Sequence, residues 1–186
     1  MAVRSSGRRS ASALLALSVL VAGVLSGCSG RPGAAAVVGG EQISVAYLQA
    51  TAVDLAPYLK DASQASLLTA LLQAPSFESA AAGQGVGVTR KQAADRLDQV
   101  AKQAAAARTA PARTTPFTPG AVEVVRFALA QQNLQALPNA AEVTAQVAKK
   151  LRALDVEVNP RYGTVDLAAG SVKPPSYPWL VTAAAG

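Results

Sequence analysis

From about Ala11 to Leu25 apolar residues run almost unbroken, through Leu14, Leu15, Leu17, Val19, Leu20, Val21 and Val24. Past Ala36 a helical spacing takes over. Tyr47, Leu48, Thr51, Leu55 and Leu59 recur at steps of three and four and predict a helix over 44–59, with Ser44 as its N-cap and Pro57 near its end. Leu67, Leu68, Leu71 and Leu72 predict a second helix over 61–73, capped by Asp61. Ala74-Pro75-Ser76 interrupts it, and a short helical piece continues to about Ala82. Gly83, Gly85 and Gly87 break the chain. Thr89 is the N-cap of a helix over 90–107, built on Ala93, Ala94, Leu97, Val100, Ala101 and Ala104. Pro111, Pro116 and Pro119 make 108–119 a loop. Helices follow over 120–136 and 139–153. In the last, Val143, Val147, Leu151 and Leu154 form a stripe, Asn139 is the N-cap, and Glu142 stands in capping-box position. Two short runs read as strands, Ala36–Val38 and Val156–Val158, and Gly39-Gly40 is a turn signal.

Composition agrees with a helical domain. Alanine is abundant and aromatic residues are few, and alanine favours helix at little entropic cost. Residues 28–186 suffice for one domain with its own core and are too few for two ordinary ones. The formal charge of +6 falls to +3 once Arg4, Arg8 and Arg9 are set aside with the N-terminal segment, and no basic run with interleaved aromatics follows. Nucleic acid is therefore not an expected partner. The chain contains no His, the commonest general base and metal ligand. Gly83-Gln84-Gly85-Val86-Gly87 lacks the Gly-Lys-Ser/Thr of a phosphate loop and reads as a helix-to-helix turn. Asp95 and Asp98, with Arg96 and Lys102 nearby, form a solvated helix face rather than an acid/base pair. Lys149-Lys150-Arg152 is the polar side of the last helix; the sharper alternative is contact with anionic headgroups, worth about 1 kcal/mol per basic residue. Asn159-Pro160-Arg161-Tyr162-Gly163 reads as a turn with a packed tyrosine. The expectation is a protein with no catalysis, no cofactor and no metal.

The N-terminal segment carries the most specific chemistry. Arg4, Arg8 and Arg9 precede an apolar stretch of roughly 14 residues, short of the ~20 that span a bilayer as a stable helix. It ends at Leu25-Ser26-Gly27-Cys28, a lipobox: an apolar residue, two small ones, then the acceptor cysteine. A thiolate is the nucleophile for thioether formation with a diacylglyceryl group, and small residues before it give a peptidase access to the backbone. Cys28 is the only cysteine and has no partner for an internal disulfide. Two acyl chains are enough for durable attachment where one is marginal. Lipidation of Cys28 and a place on the outer face of the cell membrane are thus expected. Arg8-Arg9 leaves open whether export is by the general or the twin-arginine route.

Three segments resemble the SurA-type N-terminal chaperone domain. They are Val37-Val38-Gly39-Gly40-Glu41-Gln42-Ile43-Ser44, then Gly85-Val86-Gly87-Val88-Thr89 leading into Ala93, and Val158-Asn159-Pro160-Arg161-Tyr162-Gly163-Thr164. The last is the most specific and is similar to actinobacterial lipoproteins of that kind. The resemblance implies a mainly α module in which an N-terminal and a C-terminal strand pair. The two strand candidates fit this, since each would otherwise keep an unpaired edge. It divides the chain into a signal peptide (1–27), a lipidated Cys28 and tether (28–36), a helical domain (37–166) and a Pro/Gly-containing tail (167–186). It also implies a module that holds unfolded or exported polypeptides. No stretch of parvulin character is present, so isomerase activity is not implied. The alternative is an envelope scaffold or accessory lipoprotein that binds one folded partner. Tyr177 and Trp179 either clip the tail onto the helices or belong to a client-binding surface.

Overall fold

The computed structural model describes residues 31–59, 62–166 and 170–176. Five helices and a few short strands make it mainly α with a small antiparallel sheet, as the sequence predicts. Strand β1 (Ala34–Val38) turns at Gly39-Gly40 into β2 (Glu41–Ser44), which runs straight into α1 (Val45–Leu55). Helices α2 (Gln64–Gly83), α3 (Arg90–Ala106), α4 (Pro119–Gln135) and α5 (Ala140–Arg152) follow. Strands β3 (Val156–Val158), β4 (Thr164–Asp166) and β5 (Ser171–Lys173) close the chain.

The predicted strand pairing is present: Ala36 faces Val158 and Val38 faces Val156 in antiparallel register. The sheet has three strands, not two, in the order β2-β1-β3, and β4-β5 is a separate hairpin. Gly39 and Gly40 take φ of +54° and +88°, which any side chain would resist, and the tight turn folds Glu41–Ser44 back onto β1. Two domain boundaries move. Ala34–Ala36, assigned to the tether, lies in β1 with its small side chains buried against the helices. Ser171–Lys173, assigned to the tail, packs on α2, where the Val172 N–H donates to Thr69 Oγ1 at 2.9 Å.

Helix α2 is one 20-residue helix with Pro75 inside it, where the sequence predicts a break. Leu67, Leu68, Leu71 and Leu72 before the proline, with Phe77 and Ala81 after it, are buried, while Pro75 itself is exposed. Burial on both sides outweighs the local cost of the proline, about 3 kcal/mol. Ser63, not Asp61, caps this helix; Asp61 lies outside the described residues. Helix α1 stops at Leu55, one residue before the Ala56-Pro57 turn. The remaining helices fall close to their predicted ranges. Ser44 accepts from the Tyr47 N–H, and Thr89 forms a reciprocal capping box with Gln92. Asn139 makes no capping bond, because its backbone (φ −103°, ψ 25°) turns the side chain away from the helix N–H groups.

Helices α2 and α4 form the central pair. One core cluster gathers the first half of α2, α1, the inner face of the sheet and Tyr162. A second gathers Phe77 and Ala81 of α2 with Ala130, Leu134, Val143 and Val147. Phe77 meets Phe127 edge-on at 5.2 Å, joining the two halves.

Candidate functional site

Where the sheet ends at β2, an apolar cleft of about 570 Å³ opens between the sheet and α2. Val38, Ile43, Leu71, Leu72 and Leu154 make it apolar, and Tyr47, Glu123 and Arg90 bring polar groups from α1, α4 and α3. The volume lies in the range of ligand-binding clefts. Helix α1 is held against α4 by close approach: Gly120 faces Thr51 and the Tyr47 ring so tightly that a Cβ there would lie 1.9 Å from Thr51 Oγ1. The absent side chain at Gly120 therefore sets where Tyr47 stands. Thr51 Oγ1 donates to the Tyr47 carbonyl at 2.8 Å and fixes the same turn.

Pro75 lines the cleft together with Leu71. A proline has no N–H, so the helical bond that residue 75 would donate to the Leu71 carbonyl, one turn earlier, is missing. Burial raises the Tyr47 hydroxyl pKa above its ordinary value, and the Glu123 carboxylate adds to the rise while Arg90 opposes it. Glu78 lies behind the cleft. Its pKa is also raised, first by burial and then by Glu123, against the lowering effects of Arg126 and Arg90. Glu78 Oε2 pairs with Arg126 Nη2 at 2.5 Å, while its Oε1 is buried with no hydrogen-bond partner among the described residues. Arg126 Nε also donates to the Val88 carbonyl at 3.0 Å, and Asn133 donates to the Val86 carbonyl, so α4 grips the glycine-rich turn that delivers Arg90.

The long loop between α3 and α4 is held by another buried charge. Asp54 pairs with Arg113 at 2.6 Å and accepts the Thr118 N–H at 2.6 Å. Arg113 lies 3.9 Å over the Phe117 ring and donates to the carbonyls of Thr115 and Pro116.

Cys28, Tyr177 and Trp179, singled out by the sequence, lie outside the described residues. Lys149, Lys150 and Arg152 are exposed on α5, and Asp95 and Asp98 are exposed on α3, where Asp95 pairs with Lys91. None of these joins the cleft. Gly83–Thr89 is a turn between helices, and Tyr162 is buried in the core. Among the described residues no three acidic, His or Cys side chains gather as a metal-binding group, and no helix is long and apolar enough to cross a membrane. The sequence reading missed Tyr47 as a site residue, along with Glu123, Arg90 and the pairs Asp54–Arg113 and Glu78–Arg126. A signal existed for three of them. Asp54 continues the buried face of Leu48, Thr51 and Leu55, Glu78 is the lone charge beside Phe77 in α2, and Arg126 sits between Val125 and Phe127. No family model, curated protein or solved structure matches this chain.

Proposed function

We propose that the protein is an extracytoplasmic lipoprotein, tethered to the outer face of the membrane through Cys28, whose helical domain is a SurA-type N-terminal module that holds unfolded or exported polypeptides. No catalysis is assigned to it. The observation that carries this reading is the cleft below β2: an apolar floor with a few polar groups around it, next to the open edge of a sheet. Binders of unfolded chains gain affinity from accessible apolar surface of this kind.

The test is suppression of aggregation. The full chain, purified in detergent micelles, should keep a thermally unfolded client soluble at several-fold molar excess, and Tyr47→Ala should lose most of that effect while its circular dichroism stays unchanged. No suppression at that excess refutes the reading. Crosslinking in cells should give a broad set of exported proteins; one dominant folded partner would support the scaffold alternative instead. Cys28→Ala should move the protein to the soluble fraction, and continued membrane retention would refute the anchor.

A further inference from the structure

The ladder of the sheet shows which backbone groups of β2 are free. The Gly39 N–H donates to the Asp155 carbonyl and the Asn159 N–H to the Ala35 carbonyl, both at 2.9 Å, so the odd-numbered residues of β1 turn their polar groups to β3. Ala36 and Val38 then turn theirs to β2, where Val38 faces Glu41 and Val37 faces Gln42. Glu41 is accordingly the hydrogen-bonded partner, and the N–H and C=O of Gln42 point away from β1. Among the described residues β2 packs only on β1 and α1, and nothing pairs with its outer edge. On the inner face of that edge, Glu41 and Ile43 look onto the cleft.

The charged lining is weighted toward carboxylates. Glu41 and Glu123 contribute one each, beside the neutral polar groups of Gln42, Ser44, Tyr47 and Ser76. The ion pairs among the described residues engage neither glutamate. Arg90 is the single cation of the lining, and it is exposed.

We infer that the occupant is an extended polypeptide segment that adds to β2 as a further strand through Gln42, drops an apolar side chain onto Leu71 and Leu72, and places a basic side chain against Glu123 and Glu41. Strand addition takes affinity from main-chain hydrogen bonds and selectivity from alternate side chains. The inference rests on the polypeptide-binding reading above and names the segment and its mode of binding.

Fluorescence anisotropy with the full chain in detergent micelles tests it. The probe is a labelled ten-residue peptide of alternating Val and Thr with one central Lys. Its companions are the same peptide with Glu for Lys, and two versions N-methylated at alternate residues, one in each phase. The Lys peptide should bind about tenfold tighter than the Glu peptide, the scale of one partly buried ion pair. One N-methylated phase should lose about tenfold and the other little, because only one set of N–H groups faces the edge. E123Q should reduce the Lys-to-Glu preference and E41Q/E123Q together should bring it near unity, and Gln42→Pro, tolerated on an edge strand, should weaken the parent peptide. Equal binding by both N-methylated peptides, or a preference that persists in the E41Q/E123Q double variant, overturns the inference. So does self-association of the full chain that Gln42→Pro abolishes, which would put a second copy on the edge. If aggregation is suppressed while N-methylation has no effect, the strand inference alone fails. If there is neither suppression nor peptide binding, the polypeptide-binding reading falls with it.

Discussion

Gly120→Ala should be among the most damaging single-methyl changes in this protein. The new Cβ would lie 1.9 Å from Thr51 Oγ1, 3.1 Å from the Tyr47 ring and 3.2 Å from Thr51 Cβ. Ordinary contact begins near 3.5 Å, so the hydroxyl would have to retreat by about 1.5 Å. It has nowhere to go: Thr51 is fully buried, and its hydroxyl is committed to the Tyr47 carbonyl at 2.8 Å. Overpacking of this kind costs about 1–3 kcal/mol, and disturbing the Thr51 hydrogen bond costs about 1 kcal/mol more. Alanine recovers up to about 1 kcal/mol of helix propensity over glycine. The net loss should be about 2–3 kcal/mol. Urea titration should show it as a lower midpoint with unchanged slope. In a thermal melt it corresponds to about 4–12 °C, at about 2–4 °C per kcal/mol for a chain of this size. A double-mutant cycle sharpens the test. Thr51→Ala removes the atom at 1.9 Å, so adding Gly120→Ala in that background should cost at least about 1 kcal/mol less than in the parent. A midpoint unchanged in the single variant, or strictly additive losses in the double, would refute the proposed approach of α1 to α4.

Asp54→Asn removes the buried charge that Arg113 pairs with. Breaking a buried pair costs about 3–5 kcal/mol, and Arg113 can partly rehydrate, so about 2–3 kcal/mol is expected, together with faster protease cleavage between residues 107 and 118; unaltered cleavage would show that the pair does not hold the loop. Glu78 has a folded-state pKa raised by burial, so the folded chain binds this proton more tightly than the unfolded one. Its contribution to stability is full below the ordinary glutamate range and is lost as pH rises through the raised value. Over that window the stability of the parent minus that of Glu78→Gln should therefore fall with pH, and a flat or rising difference in urea titrations would contradict the shift. Pro75→Ala restores the N–H to the Leu71 carbonyl on an exposed helix surface. It should raise stability by about 1–3 kcal/mol in a thermal melt; a destabilised variant would mean that Pro75 fits its backbone without cost.

Much of the fold can be read from local spacing. Ser44 and Thr89 stand as caps before helical stripes, and the three helices from Arg90 to Arg152 follow the three- and four-residue steps of their apolar positions. The pairing of Ala36–Val38 with Val156–Val158 follows from there being few candidates to satisfy each edge. Strand β2 escapes because Glu41-Gln42 is exposed and polar, as an edge strand is, so only Ile43 shows a buried face. Strands β4 (Thr-Val-Asp) and β5 (Ser-Val-Lys) each hold one apolar residue, so no alternation registers, whereas β3, equally short, shows Val156 and Val158 about a polar residue. Pro75 misleads because local preference argues for a break, while the burial that carries the helix through it depends on partners far along the chain. The cleft is hidden for a related reason. Val38, Tyr47, Leu71, Arg90, Glu123 and Leu154 come from six separate elements or loops, and no spacing within any one of them marks a shared site.

The two free sides of the three-stranded sheet are treated differently. Beside β3, strand β4 packs close and shields the edge. Beside β2 no element among the described residues does so, although the apolar surface of α2 continues beneath. An open edge is ordinarily a hazard, because it templates pairing with any other chain. Here the hazard is contained by composition: four residues only, with Glu41 and Gln42 exposed at the turn end. Two such edges meeting would bring carboxylates together, which opposes self-pairing, whereas a segment with a basic side chain relieves the same charges. Pro75 belongs to this arrangement. It sits where α2 floors the open strand position, on the one turn of the helix that gives up a hydrogen bond, and local rules tend to be broken where function requires it. Among the described residues an uncovered strand edge and two carboxylates outside any ion pair therefore converge on one face over an apolar floor, and a single extended, basic and apolar segment would satisfy all three.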